Sequence, residues 1–274
     1  MEEGRVLRTE VEIAADIQKH ILAQAQVQIP GIDVVARTKS ATEVGGDSFD
    51  IIQGDHNYYI YIGDVTGHGV PSGFVMMIVN SLISAFSRTF ESGAEIISNT
   101  NAILKPRIKS NMLMSLLMIR WNDLTHRLAM TGAGHEYLLI YRAETGKVSK
   151  IQSGGIALGM TKDISKLAKE REVEFVPGDI AILYTDGITE ARNGRGADAL
   201  MFGVDRLIEA IETAESKTAQ GVFNAITITL SRFMGYNHKQ FDDITLIVLH
   251  YRDKEKLDIP SAAIRPEFIT EWHW

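Results

Sequence analysis

The order of apolar segments predicts an α+β sandwich of antiparallel sheets for this 274-residue chain. Short segments bounded by turn residues come in runs, which is typical of β-meanders, and the longer helical segments between them come in pairs. A βαβ array would instead alternate single strands with single helices. Hydrophobic residues make up 45% of the chain, which is ample for a buried core.

The first element is a predicted helix over residues 5–25, which ends before Pro30. Ile13, Ile17 and Ile21 are spaced four residues apart and form an apolar stripe on one face. Two interpretations remain open: the stripe packs on the domain that follows, or it belongs to a dimerising or regulatory helix.

The chain divides into three predicted parts. Residues 1–29 form an N-terminal helical segment, residues 30–252 form the main domain, and residues 253–274 form a tail. The tail contains Pro260 and Pro266 and is predicted to be a poorly structured extension.

Apolar runs predict the strands of the main domain. Residues 54–57 form a hairpin turn between the second and third strands, and a further short strand is predicted after Gly154 and Gly155. The other predicted strands cover residues 32–37, 48–53, 58–64, 113–121, 127–132, 137–142, 169–175, 179–184 and 243–251.

Longer periodic segments predict four more helices. Pro71 lies where the first of them begins, as expected for a proline in the first turn. Residues 187–203 contain several glycines and are predicted to be a loop. The predicted helices cover residues 70–90, 94–108, 204–215 and 218–234.

Composition excludes several classes of function. The chain has no cysteine, which excludes a disulfide framework, a zinc-thiolate site and a thiol nucleophile, so a cytoplasmic location fits best. A formal net charge of −7 argues against a nucleic-acid partner.

Charged residues throughout positions 1–20 exclude a signal peptide there. The uncharged stretch 69–87 is interrupted by proline and polar residues, so a buried helix is favoured over membrane insertion.

Four acidic motifs occur where apolar segments begin or end. Carboxylates at strand ends can converge from distant sequence positions, and their mutual repulsion favours a bound hard cation such as Mg²⁺ or Mn²⁺. The candidate ligands are Asp47, Asp64, Asp186 and either Asp242 or Asp243. The motifs are "EVGGDSFD" (43–50), "GDVTGHG" (63–69), "YTDGITE" (184–190) and "FDDITLIVL" (241–249).

An aspartate-rich site of this kind suits the hydrolysis of phosphate monoesters. The uncatalysed reaction needs up to ~10²¹-fold acceleration, whereas one positioned acid or base supplies ~10²–10⁴. Two metal ions ~3.5–4 Å apart can lower the pKa of a water and neutralise charge on the phosphoryl oxygens.

In order and spacing, six motifs of this sequence resemble those of metal-dependent serine/threonine phosphatases of the phosphatase 2C class. The resemblance is closer to the bacterial SpoIIE/RsbU-type branch and runs from about Ala14 to about Tyr251. The motifs are "EVGGDSFD", "IGDVTGHGVPSG", "TGAGHEYLLIYR", "GGIALGM", "LYTDGITEARN" and "FDDITLIVL".

The resemblance implies a phosphatase-2C-like β-sandwich of two mainly antiparallel sheets flanked by helices, in αββα layers, with two Mn²⁺ or Mg²⁺ ions at one end. It implies that Asp64 bridges the ions, with Asp47 and the Val65 carbonyl on one side and Asp186 and Asp242 on the other. In the family, a bridging hydroxide attacks the phosphoserine or phosphothreonine without a phosphoenzyme intermediate.

The same resemblance implies a role in partner-switching signalling. Substrates in this branch are commonly phosphorylated anti-sigma-factor antagonists of the STAS type. An upstream activator or sensor and a homodimer through the N-terminal helix are the other expected partners.

Two positions depart from the family pattern. The histidine that eukaryotic-type members carry two residues after the bridging aspartate is replaced by Thr66, and Thr42 occupies the place of a basic residue before the first acidic motif. The residues that protonate the leaving group and grip the phosphate are therefore unassigned.

Other polar residues have both a structural and a functional interpretation. A structural hydrogen bond is favoured over general-acid catalysis for His68, and a satisfied turn histidine is favoured for His135, which we leave outside the site. Asp50 and Asp243 either orient a metal-bound water or cap a turn. Glu190 is a remote ligand or a loop charge.

Two other functions compete with phosphoprotein hydrolysis. One is a catalytically silent interaction module with the same fold, which the retention of all the main aspartates disfavours. The other is a metal-dependent phosphodiesterase or nuclease, for which a basic groove is expected.

Overall fold

In the computed structural model, two β-sheets pack face to face between two layers of helices. Residues 2–22, 27–194, 199–235, 240–252 and 267–268 are described. The helices are α1 (Glu2–Leu22), α2 (Val70–Phe86), α3 (Gly93–Leu104), α4 (Asp186–Thr189), α5 (Gly203–Thr213) and α6 (Ala219–Met234), with a 3-10 turn at Lys105–Arg107. The strands are β1 (Ile32–Lys39), β2 (Ser48–Gln53), β3 (Asn57–Val65), β4 (Met114–Asn122), β5 (Arg127–Ala133), β6 (Leu138–Arg142), β7 (Lys147–Ile151), β8 (Glu170–Val173), β9 (Ile180–Tyr184), β10 (Ile244–Tyr251) and β11 (Glu267–Phe268).

One sheet has the strand order β11-β1-β10-β9-β6-β7 and the other has the order β2-β3-β4-β5-β8. All strand pairs are antiparallel except β1 with β11. The predicted α+β sandwich of two mainly antiparallel sheets is therefore confirmed.

Apolar side chains alternate between the two faces of each sheet and so form three layers of buried contacts. The inner layer joins the sheets and includes Phe49, Ile62, Leu117 and Ile247. The outer face of the five-stranded sheet is covered by α2 and α3, and that of the six-stranded sheet by α5 and α6. This arrangement gives the predicted αββα layers.

Local sequence signals explain where the helices begin. Pro71 lies in the first turn of α2, where a missing N–H removes no helical hydrogen bond. The side chains of Ser92 and Thr218 accept hydrogen bonds from the first-turn backbone of α3 and α6.

Within the main domain, the structure differs from the predicted elements in two places. The strand expected after Gly155 is absent there: Leu158 forms only an isolated bridge with Met114, and the regular strand is β7, before the glycine pair. Both glycines have positive φ, which favours a turn over a strand. The loop expected from residue 187 contains the short helix α4, which begins at Asp186.

The two ends of the chain are only partly described. Helix α1 ends at Leu22, and the last predicted turn of that helix lies outside the described residues. Val27 and Ile29 then enter the layer between the sheets. Of the predicted tail only residues 267–268 are described, and they pair with β1. No helix of the described residues is both long and apolar enough to cross a membrane.

Candidate metal centre

Strand pairing brings the four acidic motifs together two by two, one pair in each sheet, and the packing of the sheets places both pairs at one end of the sandwich. In the five-stranded sheet, Ser48 pairs with Gly63, so Asp47 and Asp64 lie at the same end of the adjacent strands β2 and β3. In the six-stranded sheet, Tyr184 pairs with Leu246, so Asp186 after β9 lies near Asp242 and Asp243 before β10. Because antiparallel neighbours run in opposite directions, the end of one strand meets the start of the next.

Asp47 is buried and is held by two threonine hydroxyls. Its Oδ2 accepts hydrogen bonds from Oγ1 of Thr185 at 2.9 Å and Oγ1 of Thr245 at 2.5 Å. Oγ1 of Thr38 lies 2.7 Å from Oγ1 of Thr245, so this series of hydrogen bonds extends to β1. Because both hydroxyls donate to Oδ2, Oδ1 of Asp47 accepts neither of these two bonds.

The carboxylate of Asp243 binds backbone N–H groups. Oδ1 accepts from Ala41 N at 2.7 Å, and Oδ2 accepts from Gly46 N at 2.6 Å and Asp47 N at 3.2 Å. Burial raises the pKa of Asp243, and these three bonds oppose that rise. Asp243 therefore fastens the loop that carries Asp47 to the start of β10.

Like charges and burial raise the pKa of the acidic side chains. Burial, followed by the charges of Asp186, Asp242 and Asp243, raises the pKa of Asp64 to about 8. Burial and the charge of Asp242 raise the pKa of Asp186 to about 6. Burial, then the charges of Asp64 and Asp243, raises the pKa of Asp47 well above its usual value. No lysine or arginine is among the main causes of these three shifts.

The donor set fits a hard divalent cation. Carboxylate oxygens converge in a partly buried place where their charges repel, and Mg²⁺ and Mn²⁺ prefer oxygen ligands. The Val65 backbone carbonyl lies beside Gly46, where an added Cβ would stand 3.1 Å from its oxygen. Within the described ranges, however, no three acidic or histidine side chains are arranged as a ready-made metal-binding group. The aspartates therefore share one electrostatic environment without forming a closed coordination shell.

Helix α1 touches the same loop through Gln18. Its Nε2 donates to the Gly45 carbonyl at 2.7 Å, and its Oε1 accepts from the Gly45 N–H at 3.1 Å. Gln18 is only 5% exposed, so the pair of bonds is shielded from water. The N-terminal helix thus fixes the backbone two residues before Asp47.

The secondary candidates from the sequence lie in different places. His135 is buried, with Nδ1 2.9 Å from Ser115 Oγ and Nε2 2.9 Å from the Tyr184 carbonyl, and burial lowers its pKa to about 4. Both ring nitrogens thus have partners, as predicted for a satisfied histidine. His68 is exposed and makes no side-chain hydrogen bond with the described part of the chain, so the structural bond favoured for it is not found.

Two other acidic residues also separate from the main group. Asp50 faces α2, and its Oδ2 accepts from the Asn80 amide at 3.1 Å, so it belongs to a buried polar network. Glu190 is exposed, and its charge contributes to the raised pKa of Asp186.

Sequence reasoning missed Thr38, Thr185, Thr245 and Gln18. The threonines at 185 and 245 stand inside the motifs "YTDG" and "DDITL", next to the aspartates that were considered. A hydroxyl beside a buried carboxylate is a usable signal, because buried charges require hydrogen-bond donors. Thr38 and Gln18 carry no such local signal, since their partners are distant in sequence.

The structure is a two-sheet sandwich with paired helices on both sides and acidic strand ends at one end of the sandwich. This architecture is that of the PP2C-type phosphatases. The SiaA-PP2C domain of Pseudomonas aeruginosa superposes with a TM-score of 0.74 at 21% identity, covering 91% of this chain and 98% of that one. The RsbU and RsbW domains of Rv1364c from Mycobacterium tuberculosis give a TM-score of 0.68 at 23% identity, with coverages of 83% and 63%.

A family model described as "Stage II sporulation protein E (SpoIIE)" matches residues 54–252. The chain therefore belongs to the SpoIIE family, and the predicted membership of the SpoIIE/RsbU-type branch of protein phosphatases is confirmed. The phosphoserine phosphatase RsbU of Bacillus subtilis is 25% identical over 243 residues, which are 89% of this chain and 70% of RsbU. The chain spans only 42% and 46% of two other curated relatives.

Proposed function

We propose that this chain is a metal-dependent phosphatase that hydrolyses phosphoserine or phosphothreonine on an anti-sigma-factor antagonist of the STAS type. One observation carries the proposal: aspartates from both sheets meet at one end of the sandwich, with raised pKa values and no cation among the main causes. A site with this much negative charge requires bound cations, and bound cations suit a negatively charged phosphoryl substrate. The name of the relative RsbU agrees with phosphoserine as the substrate.

Two Mn²⁺ or Mg²⁺ ions are part of the proposal. Asp64 would bridge them, Asp47 and the Val65 carbonyl would hold one, and Asp186 and Asp242 would hold the other. Such ions lower the pKa of a bound water and neutralise charge on the phosphoryl group. Asp243, which the sequence also proposed as a ligand, is better suited to positioning, because both of its oxygens already accept backbone N–H groups.

The remaining residues have positioning roles in this proposal. Thr185 and Thr245 orient the Asp47 carboxylate, since both donate to the same oxygen. Asp242 is exposed and Asp64 is partly exposed, so the centre is accessible to a residue on the surface of another protein. A folded phosphoprotein is therefore an acceptable substrate.

We also propose that α1 links the site to a partner in a cytoplasmic signalling system. Its Gln18 holds the loop of Asp47, while Ile13 and Ile17 are 55% and 49% exposed on the same helix. Helix α1 contacts α2, which itself exposes Phe74. A second copy of the chain, or an upstream activator, would cover these apolar side chains and act on the loop through α1.

The test is phosphate release from a phosphoserine STAS-type protein with Mn²⁺, with Mg²⁺ and with chelator. Asp64→Asn is compared with wild type and with Asp55→Asn. Asp55 is fully exposed in the hairpin that precedes β3, at the opposite end of that strand from Asp64, so it is a matched control.

The proposal predicts metal-dependent release that is abolished in Asp64→Asn and retained in Asp55→Asn. A folded wild type that binds Mn²⁺ but cleaves only phosphodiesters would favour the phosphodiesterase. A wild type that binds no metal and releases no phosphate would favour the silent interaction module.

A further inference from the structure

A cavity of about 220 Å³ lies next to the acidic centre, on the side of the six-stranded sheet. It shares Asp242 with the centre, and Gly187 in its wall directly follows Asp186. Its apolar lining comes from Ala191, Met234, Phe241 and Ile244. None of these apolar residues has a role in the proposed hydrolysis.

The size of the cavity matches an amino-acid side chain. Pockets for drug-sized ligands have about 300–1,000 Å³, whereas a cavity of about 150 Å³ already accepts a benzene ring. The volume of about 220 Å³ therefore fits one large apolar side chain. Phe241 is 65% exposed at this place, although phenylalanine is among the residues most often buried.

The wall next to the centre is firmly attached. Gln240 Nε2 donates to the Lys39 carbonyl at 2.7 Å and to the Asp242 carbonyl at 2.8 Å, which ties the segment before β10 to the end of β1. On the other side, Phe202 N donates to the Ala191 carbonyl at 2.8 Å. The cavity is therefore built from segments that are tied to the rest of the fold.

Arg192 adds a positive charge to this lining. It is exposed and has no ion pair or side-chain hydrogen bond with the residues that the structure describes. Glu190 and Asp242 also line the cavity, and their charges would repel a free anion. A carboxylate that belongs to a bound peptide is better suited to this place than a free anion. An exposed guanidinium beside an apolar cavity fits an acidic residue next to an apolar one.

We propose that this cavity is a specificity pocket for the phosphoprotein substrate; this inference rests on the proposed phosphatase function. It takes a large apolar side chain close in sequence to the phosphorylated serine, and Arg192 pairs with an acidic residue beside it. Because an extended chain advances about 3.3 Å per residue, only residues within a few positions of the phosphoserine reach a pocket that shares Asp242 with the centre.

The test uses phosphoserine peptides with three alanines on each side of the phosphoserine. Each alanine is replaced in turn by leucine, aspartate or lysine, and kcat/KM is measured with Mn²⁺. p-Nitrophenyl phosphate, which has no flanking residues, reports the hydrolytic centre alone. The variants are Phe241→Ala and Arg192→Gln, with Leu124→Ala and Arg127→Gln as exposed controls on the β4–β5 hairpin and the adjoining β5.

Leucine at one flanking position is expected to raise the wild-type kcat/KM about tenfold, and Phe241→Ala to remove most of this gain. Wild type is also expected to prefer aspartate at a flanking position, and Arg192→Gln is expected to remove only this preference. Neither variant is expected to change the rate with p-nitrophenyl phosphate. A wild type without flanking preference, or a preference that survives in Phe241→Ala, overturns the pocket while leaving the phosphatase intact. A wild type that releases no phosphate from either kind of substrate overturns the phosphatase proposal and the pocket with it.

Discussion

Replacing Asp64 by asparagine is expected to stabilise the protein when no metal ion is present. The raised pKa of Asp64, about 8 instead of 3.8, means that the folded state binds more protons than the unfolded state between these pH values. The contribution of Asp64 to the stability of the metal-free protein is therefore fully present below about pH 4 and is lost as pH rises through about 8. Four pKa units at about 1.4 kcal/mol each correspond to a destabilisation on the order of 5 kcal/mol at pH 8.

Thermal unfolding in chelator at pH 5, 6.5 and 8 measures this effect. Wild type should lose stability as pH rises, and Asp64→Asn should melt about 10–20 °C higher than wild type at pH 8, because about 1 kcal/mol shifts the melting temperature of a large domain by about 2–4 °C. Adding Mn²⁺ should reverse the order, since wild type gains more from binding than the variant does. The reasoning is refuted if Asp64→Asn is less stable than wild type in chelator at pH 8 while Asp55→Asn is unchanged.

Three further variants test other contacts. Thr245→Val removes a buried hydroxyl that donates to Asp47, and we expect the Mn²⁺ concentration for half-maximal phosphate release to rise about 10–100-fold; an unchanged metal requirement contradicts this role. Gln18→Ala leaves two buried backbone groups unpaired and should lower the free energy of unfolding by about 1–3 kcal/mol and reduce phosphate release, whereas exposed Gln28→Ala should match wild type in both. Ile17→Asp should reduce the dimer fraction in analytical ultracentrifugation, and an unaltered sedimentation profile would remove α1 from the interface.

Much of the fold followed from local pattern. The strand predicted at residues 48–53 is identical to β2, and most other elements begin and end within a few residues of their predicted bounds. These segments are apolar runs with clear turn residues between them, so local sequence and tertiary packing agree. The strand β7 was missed because Lys147–Ile151 alternates only weakly and is mostly half-exposed at a sheet edge.

The candidate site was predictable in its residues but not in its contacts. Aspartates at strand ends are visible in the sequence, and antiparallel pairing brings Asp47 next to Asp64 in one sheet and Asp186 next to Asp242 in the other. The packing of the two sheets, which no local pattern specifies, then joins the two pairs. The partners of Asp243 are backbone groups about 200 positions away, and no local pattern encodes such a bond. The contact between Gln18 and Gly45 depends likewise on how α1 docks, which only the folded chain reveals.

The most direct test of the metal centre is the number of Mn²⁺ ions that the chain binds. Isothermal titration calorimetry of metal-free wild type and Asp64→Asn, with Asp55→Asn as the control, gives this number. We expect two ions per chain for wild type and for Asp55→Asn, and fewer and weaker sites for Asp64→Asn. A wild type that binds no Mn²⁺, or an Asp64→Asn that binds two ions with wild-type affinity, would contradict the assignment of these aspartates as the metal centre.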